Sequence, residues 1–234
     1  MAEVIRMNSG ALHAQVATRL RNALIEGRIA PGAKLNERVL AEQLMVSRTP
    51  LREAIKLLAA EGLVDLLPNR GAVAVQLTDA DVRHSFELLA GLEAMSGQFA
   101  AHRASDTQRA EIRAMHYEMM ACHARGDLPG YYRLNAAIHN AINQAAANPA
   151  LAATYRQANA RVQSLRFRSN QNSSKWARAL KEHGQMVDAL DARDADGLSR
   201  LLVQHLHHKR DTVLALMASG ALALPSLETS PSSA

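Results

Sequence analysis

Residues 46–62, VSRTPLREAIKLLAAEG, constrain this chain more than any other stretch. They read as a helix with both ends marked. Thr49 can cap the N-terminus, and Pro50 suits the first helical position, where a missing N–H costs nothing. Gly62 is a natural C-terminal stop. Leu51, Ile55, Leu58 and Ala59 form one apolar stripe at helical spacing, and Arg48 and Arg52 stand at the entry. A helix that buries one face and points arginines from its first turn meets the requirements of DNA recognition. Arginine forks onto guanine O6 and N7, and the helix start adds partial positive charge toward phosphates. The same pattern describes an ordinary amphipathic surface helix with solvated arginines, so the neighbours decide between the two.

Those neighbours fall in helix-turn-helix order. Residues 11–26 predict a helix with Leu12, Val16, Leu20 and Leu24 on one face, ended by Gly27. Pro31-Gly32 signals a turn. Residues 35–44 predict a second helix that Asn36 can cap, and a break at 45–47 leads into the arginine-bearing helix. Two short apolar runs, 63–67 and 72–77, then flank Pro68-Asn69-Arg70-Gly71, the pattern of a β-hairpin with a basic tip. A hairpin directly after a recognition helix is a wing, with Arg70 placed to enter a minor groove or touch a phosphate. Charge agrees. Residues 1–77 hold ten Lys/Arg against seven Asp/Glu, and the remainder seventeen against fifteen, so the basic excess of +5 is denser in the first third.

The run PGAKLNERVLAEQLMVSRTPLREAIKLLAAEGLV with PNRGAVAV after it closely resembles the DNA-binding domain of GntR-family transcription regulators, continuously over about residues 12–77. The resemblance implies a winged helix-turn-helix over residues 1–77. It also implies DNA contacts from Arg38, Ser47, Arg48, Arg52, Arg70 and Gly71. In that expectation Arg52 reads base edges or phosphate, Ser47 and Arg48 hold the backbone, and Gly71 lets the wing approach closely.

From Thr78 to about Leu216 the periodicity is helical throughout. Aromatic residues are only 3% while Ala and Leu abound, which favours helix-on-helix packing. Helices are expected over about 78–103, 106–125, 128–147, 149–169, 174–192 and 194–218. Short loops make them an all-α antiparallel bundle of six or seven helices over residues 78–220. Residues 221–234 read as a disordered tail.

Three histidines of this region lie on apolar helical faces. His139 shares a face with Tyr131, Asn135 and Ile142. His183 sits in the stripe of Trp176, Leu180, Val187 and Leu190, and His205 follows Leu201 and Leu202. At 1.5 Å per residue, His183 and His205 stand about 15 and about 18 Å from the turn between their helices, so an antiparallel hairpin brings them to similar heights. Three neutral imidazoles and one oxygen ligand inside a bundle make a divalent transition-metal site. A core histidine satisfied by hydrogen bonds is the alternative for each.

This second region resembles the FCD-type effector domain of the FadR subfamily, through LNAAIHNAI with a later NPAL, then KEHGQMVDALDARD and LLVQHL. The resemblance implies a metal held by Asn135, His139, His183 and His205, the metal being zinc, nickel or manganese. Many relatives carry Asp at the position of Asn135, which here supplies a neutral oxygen. Many also carry an Arg ahead of the LE pair of the first effector helix, to hold a carboxylate; here that position is Leu89, before Leu92-Glu93. Arg161, Arg166 and Arg168 are the candidate replacements for binding an organic-acid effector. His102, His116 and His123 read as surface residues, and His207 and His208 as pointing away from His205.

The resemblance implies a ligand-responsive repressor: a homodimer on operator double-stranded DNA, with a small carboxylate as effector. A single cysteine, Cys122, excludes an internal disulfide framework. No apolar run spans a membrane and the N-terminus lacks a signal-peptide core, so the expected location is cytoplasmic. The competing readings are a metal-dependent hydrolase or lyase built on the histidines, and an architectural DNA binder with a structural metal. Against the hydrolase, no acid is expected near the cluster as a general base, since Glu182 points about 100° away from His183 on an ideal helix.

Overall fold

The computed structural model describes residues 9–68, 70–169 and 176–222. The first unit runs α1 (Ser9–Ile25), β1 (Lys34–Leu35), α2 (Glu37–Leu44), α3 (Arg48–Ala60), β2 (Val64–Leu67) and β3 (Gly71–Ala74). Its core forms where Val16, Leu20 and Leu24 of α1 close over Leu51, Ala54, Ile55 and Leu58 of α3, with Leu35, Ala72 and Ala74 of the sheet beneath. The sheet order is β1-β3-β2 with antiparallel pairings, Leu66 and Leu35 both lying opposite Ala72. The wing is therefore a hairpin with a third strand added.

Local signals place most boundaries, with three differences. Lys34-Leu35 pairs as β1, so the second helix opens at Glu37 rather than at residue 35; Asn36 caps it, accepting from the N–H groups of Arg38 and Val39. The N-cap of α3 is Ser47, not Thr49. Pro50 is thus the third helical residue, still within the first turn, where N–H groups have no intrahelical acceptor. The turn between α2 and α3 is made by Met45 in the left-handed conformation, φ 54°, its side chain 88% exposed.

The second unit contains six helices among the described residues: α4 (Asp79–Arg103), α5 (Asp106–Arg125), α6 (Leu128–Ala145), α7 (Pro149–Arg168), α8 (Trp176–Asp191) and α9 (Ala195–Ala218). Thr78 with Asp81, and Ser105 with Gln108, form reciprocal capping boxes at α4 and α5. Asp127, Asn148 and Asp194 cap α6, α7 and α9. One apolar cluster joins α5, α6 and α8 through Met119, Ile138 and Met186; another joins α4, α7 and α9 through Phe86, Tyr155 and Leu206. Gly97 lets α4 and α9 come close: a Cβ there would lie 2.7 Å from Leu202 Cδ1.

The two units touch through α7. Ala160 packs against the core of the first unit, and a Cβ on Gly62 would lie 2.9 Å from Arg161 Cγ. The expected start of the fifth bundle helix at residue 174, the wing residue Asn69 and the tail from residue 223 lie outside the described residues. Among those described, no helix is long and apolar enough to cross a membrane.

Candidate metal centre and nucleic-acid interface

Helices α6, α8 and α9 deliver His139, His183 and His205 to one buried point. The three side chains are 2%, 0% and 4% exposed, and one ring nitrogen from each lies within 4.8 Å of the others. The outward nitrogens fix the tautomers. His183 Nδ1 is 2.9 Å from the Ala179 carbonyl, which only accepts, so Nδ1 carries the proton and Nε2 is bare. His205 Nδ1 donates to Glu182 Oε2 at 2.7 Å, which bares its Nε2 as well. His139 Nδ1 stands 2.9 Å from Glu93 Oε2, off the line of a regular hydrogen bond.

His139 Nε2 lies 3.2 Å from the bare Nε2 of His183, within hydrogen-bonding distance. Burial, then His205 and His139, hold the His183 pKa well below its usual value. Burial also lowers His205 to about 4, against the pull of Glu182. Buried imidazoles whose ring nitrogens converge on one point fit a borderline divalent cation. The surrounding acids have the geometry of groups that orient metal-bound histidines through their second nitrogen.

Sequence reasoning missed those acids. Glu182 does point away from His183, but it bonds across the helix pair to His205, and to His208 Nδ1 at 2.8 Å. Burial would raise its pKa; His205, His208 and Arg178 hold it at about 2. Glu93 is 2% exposed. Burial opposes its ionisation, yet His139 and Arg166 keep its pKa below the usual carboxylate value. A signal for Glu93 was present, since it continues the buried 3–4 stripe of Val82, Phe86 and Leu89. Both acids stand behind the rings, on the Nδ1 side, so neither faces the point where the bare nitrogens meet. His208 therefore does belong to this shell, and His116 is buried rather than superficial, its Nε2 3.3 Å from the Leu180 carbonyl.

Asn135 is buried one turn before His139 on α6, and Tyr131 a further turn back has a buried hydroxyl with no hydrogen-bond partner among the described residues. Arg166 is buried beside the cluster, 4.0 Å from Glu93 Oε1, and donates to Asn159 Oδ1 at 2.7 Å. The Tyr155 hydroxyl donates to Glu93 Oε1 at 3.2 Å. Arg168 is also buried, whereas Arg161 is exposed against Gly62. Of the arginines expected to replace the one lost at Leu89, only Arg166 is thus tied to the cluster, through Glu93; Arg161 belongs to the contact between the units.

The other expected residues share the surface around the start of α3. Arg38, Ser47, Arg48, Arg52, Arg70 and Gly71 are all exposed. The Ser47 hydroxyl makes no capping bond, which leaves the first-turn N–H groups of α3 open to an anion. Arg52 Nε donates to Glu37 Oε2 at 2.7 Å, tying α3 to α2, and Arg38 pairs with Glu42 at 3.2 Å. Gly71 has φ +85°, a value only glycine adopts freely, at the first residue after the wing turn. An arginine-lined helix entry beside a wing, joined to a helical bundle with a buried histidine cluster, defines a DNA-binding regulator.

Comparison with known proteins gives the family. Residues 12–73 match the bacterial regulatory proteins of the gntR family, and residues 84–208 match the FCD domain. The chain belongs to the gntR family of transcription regulators, in the group that carries an FCD domain. It is 27% identical over 199 residues to the HTH-type transcriptional repressor RspR of Escherichia coli (strain K12), covering 85% of this chain and 87% of that one. It is 27% identical over 195 residues to a probable D-xylose utilization operon transcriptional repressor of Paenarthrobacter nicotinovorans, covering 82% and 85%. Among solved structures, E. coli McbR/YncC superposes with a TM-score of 0.78 at 22% identity, covering 88% of this chain and 98% of that one.

Proposed function

We propose that this regulator is a metal-containing, ligand-responsive repressor of the FadR subfamily, acting in the cytoplasm as a homodimer. Residues 1–77 read the operator and residues 78–220 sense the effector. Arg52 enters the major groove from the start of α3, Ser47 and Arg48 hold the phosphate backbone with Arg38 beside them, and Arg70 with Gly71 brings the wing onto the duplex. His139, His183 and His205, with Asn135 supplying a neutral oxygen, hold zinc, nickel or manganese. The observation that carries this reading is the convergence of three buried histidines, one ring nitrogen of each within 4.8 Å of the others. The ion supplies positive charge and an open coordination position for a small carboxylate. Arg166, beside Glu93, and the buried Tyr131 hydroxyl would orient that carboxylate. Effector binding then biases one arrangement of the two units and releases the DNA.

The test is metal content and operator binding on one preparation purified without chelator. The expected result is about one divalent metal per chain, lost in His139→Ala. Affinity for a duplex from the gene's own upstream region should shift in the presence of small carboxylates. Chains free of metal, binding DNA with an affinity indifferent to every acid tried, would reduce the three histidines to core residues.

A further inference from the structure

Of the arginines in the second half of α7, only Arg166 has its charge answered: it donates to Asn159 and stands beside Glu93. Arg168 is nearly as deep, 7% exposed, yet no hydrogen bond or ion pair reaches it from the described residues. Burial alone acts on it, pulling its pKa below the usual arginine value. A buried guanidinium without an acceptor is costly, because its charge gives up water and meets no oxygen instead.

Arg168 does not point where Arg166 points. Two residues turn a helix by about 200°, so the two side chains leave α7 on opposite sides. One turn before Arg168, on its own side, lies Ser164, whose Oγ is buried and also has no hydrogen-bond partner among the described residues. Three residues further back is Arg161, exposed, which makes no hydrogen bond or ion pair with the described residues either. The stripe of 161, 164 and 168 faces the seam between the two units. Ala160, one turn before Ser164, packs against the core of the first unit, and a Cβ on Gly62 would lie 2.9 Å from Arg161 Cγ. Asp81 feels the Arg161 charge, but its Oδ2 is already engaged by Thr78, whose hydroxyl donates to it at 2.6 Å and whose N–H donates at 3.0 Å.

We propose that Arg161, Ser164 and Arg168 form an oxyanion site at this seam, taking a phosphate group, either free or as the monoester of a small metabolite. Two guanidinium groups bracket one hydroxyl over about 10 Å of helix. A planar fork matches two oxygens of a phosphate and the hydroxyl donates to a third, which a carboxylate does not have. Two cations with no free acid beside them suit an anion of charge near about −2. The site is separate from the histidine cluster, since its side chains leave α7 opposite Arg166. A bound phosphate ties the last turns of α7 to the end of α3 and so holds the two units in one arrangement. Only this last step, in which occupancy acts on DNA affinity, rests on the regulator reading.

Equilibrium dialysis of the full chain against radiolabelled inorganic phosphate, and calorimetry with glycerol 3-phosphate, test the site. Wild type is expected to bind saturably, and to do so equally in chelator, which empties the metal centre. Arg168→Gln should weaken binding at least about 10-fold, and Ser164→Ala less. Arg161→Gln, altered at an exposed residue, should weaken it too with unchanged circular dichroism, so the loss is not one of folding. Phosphate should raise the melting temperature of wild type and leave that of Arg168→Gln where it was. The tighter of the two probes identifies the source, free ion or monoester. No saturable binding by wild type, equal binding by Arg168→Gln and Arg161→Gln, or loss of binding in chelator would each overturn the proposal. The expected pattern in a protein that binds no DNA would uphold the site while removing the regulator reading.

Discussion

His183 and His205 each have one ring nitrogen committed to a hydrogen bond and the whole ring buried, and that burial decides how the site responds to acid. His205 is depressed from 6.5 to about 4 and His183 is lowered further still. Unfolding exposes both rings, so between those values the unfolded chain binds more protons than the folded one. Stability is therefore fully present above pH 6.5 and is lost as the pH falls toward 4. For His205 alone the loss is about 3 kcal/mol, at about 1.4 kcal/mol per unit. Glu182, held at about 2, adds a further loss below pH 4.5 of the same sign. The expected observation is a melting temperature, measured in chelator, that falls steeply between pH 6.5 and pH 4; a flat profile would mean that the rings are already protonated or exposed at neutral pH. The histidines themselves were legible in the sequence because a polar residue in an apolar stripe is conspicuous. Their carboxylate partners were not: Glu93 reaches His139 across two helices and Glu182 reaches His205 from the next one, and helical periodicity carries no information about such pairings.

At the level of elements, the start of α3 depends on a turn built without glycine. Met45 holds φ 54° and ψ 46° while its N–H closes onto the carbonyls of Ala41 and Glu42. A left-handed residue with a Cβ costs about 1–2 kcal/mol, and glycine returns part of that gain through the entropy of the unfolded chain. Because the Met45 side chain is 88% exposed, little packing is lost on its removal. Met45→Gly is therefore expected to raise the denaturation free energy by about 0.5–1 kcal/mol, read as a higher urea midpoint at unchanged slope. A lower midpoint would show that the methionine is held by contacts in the folded state. The same few residues show why element boundaries were harder to read than elements. Ser47 and Thr49 are both plausible caps two positions apart, and only backbone conformation distinguishes them. β1 is two residues long, too short for any alternation, and exists because β3 offers it a partner. The helices α4 to α9, by contrast, announce themselves through caps such as Thr78, Ser105 and Asp194 and through stripes many turns long.

Across the whole molecule, α7 belongs to both units. Ala160 sits against the core built by α1 and α3, and Arg166, six residues on, sits beside Glu93. Six residues of helix span about 9 Å and do not stretch. The two units are therefore expected to melt as one. Trp176, the only tryptophan, reports the helical unit by fluorescence, while circular dichroism reports both. The two denaturation curves should coincide in the intact chain and separate in Ala160→Glu, where a charge is forced onto the shared surface. Curves that are already separate in the intact chain would show that α7 does not tie the units. The consequence extends to engineering and descent. A reading unit transplanted onto another sensing bundle leaves behind the residue that completed its own core. Exchange between relatives succeeds only where the recipient bundle presents an equally small side chain at that point, so the seam for recombination lies within the seventh helix and not in the linker before the fourth.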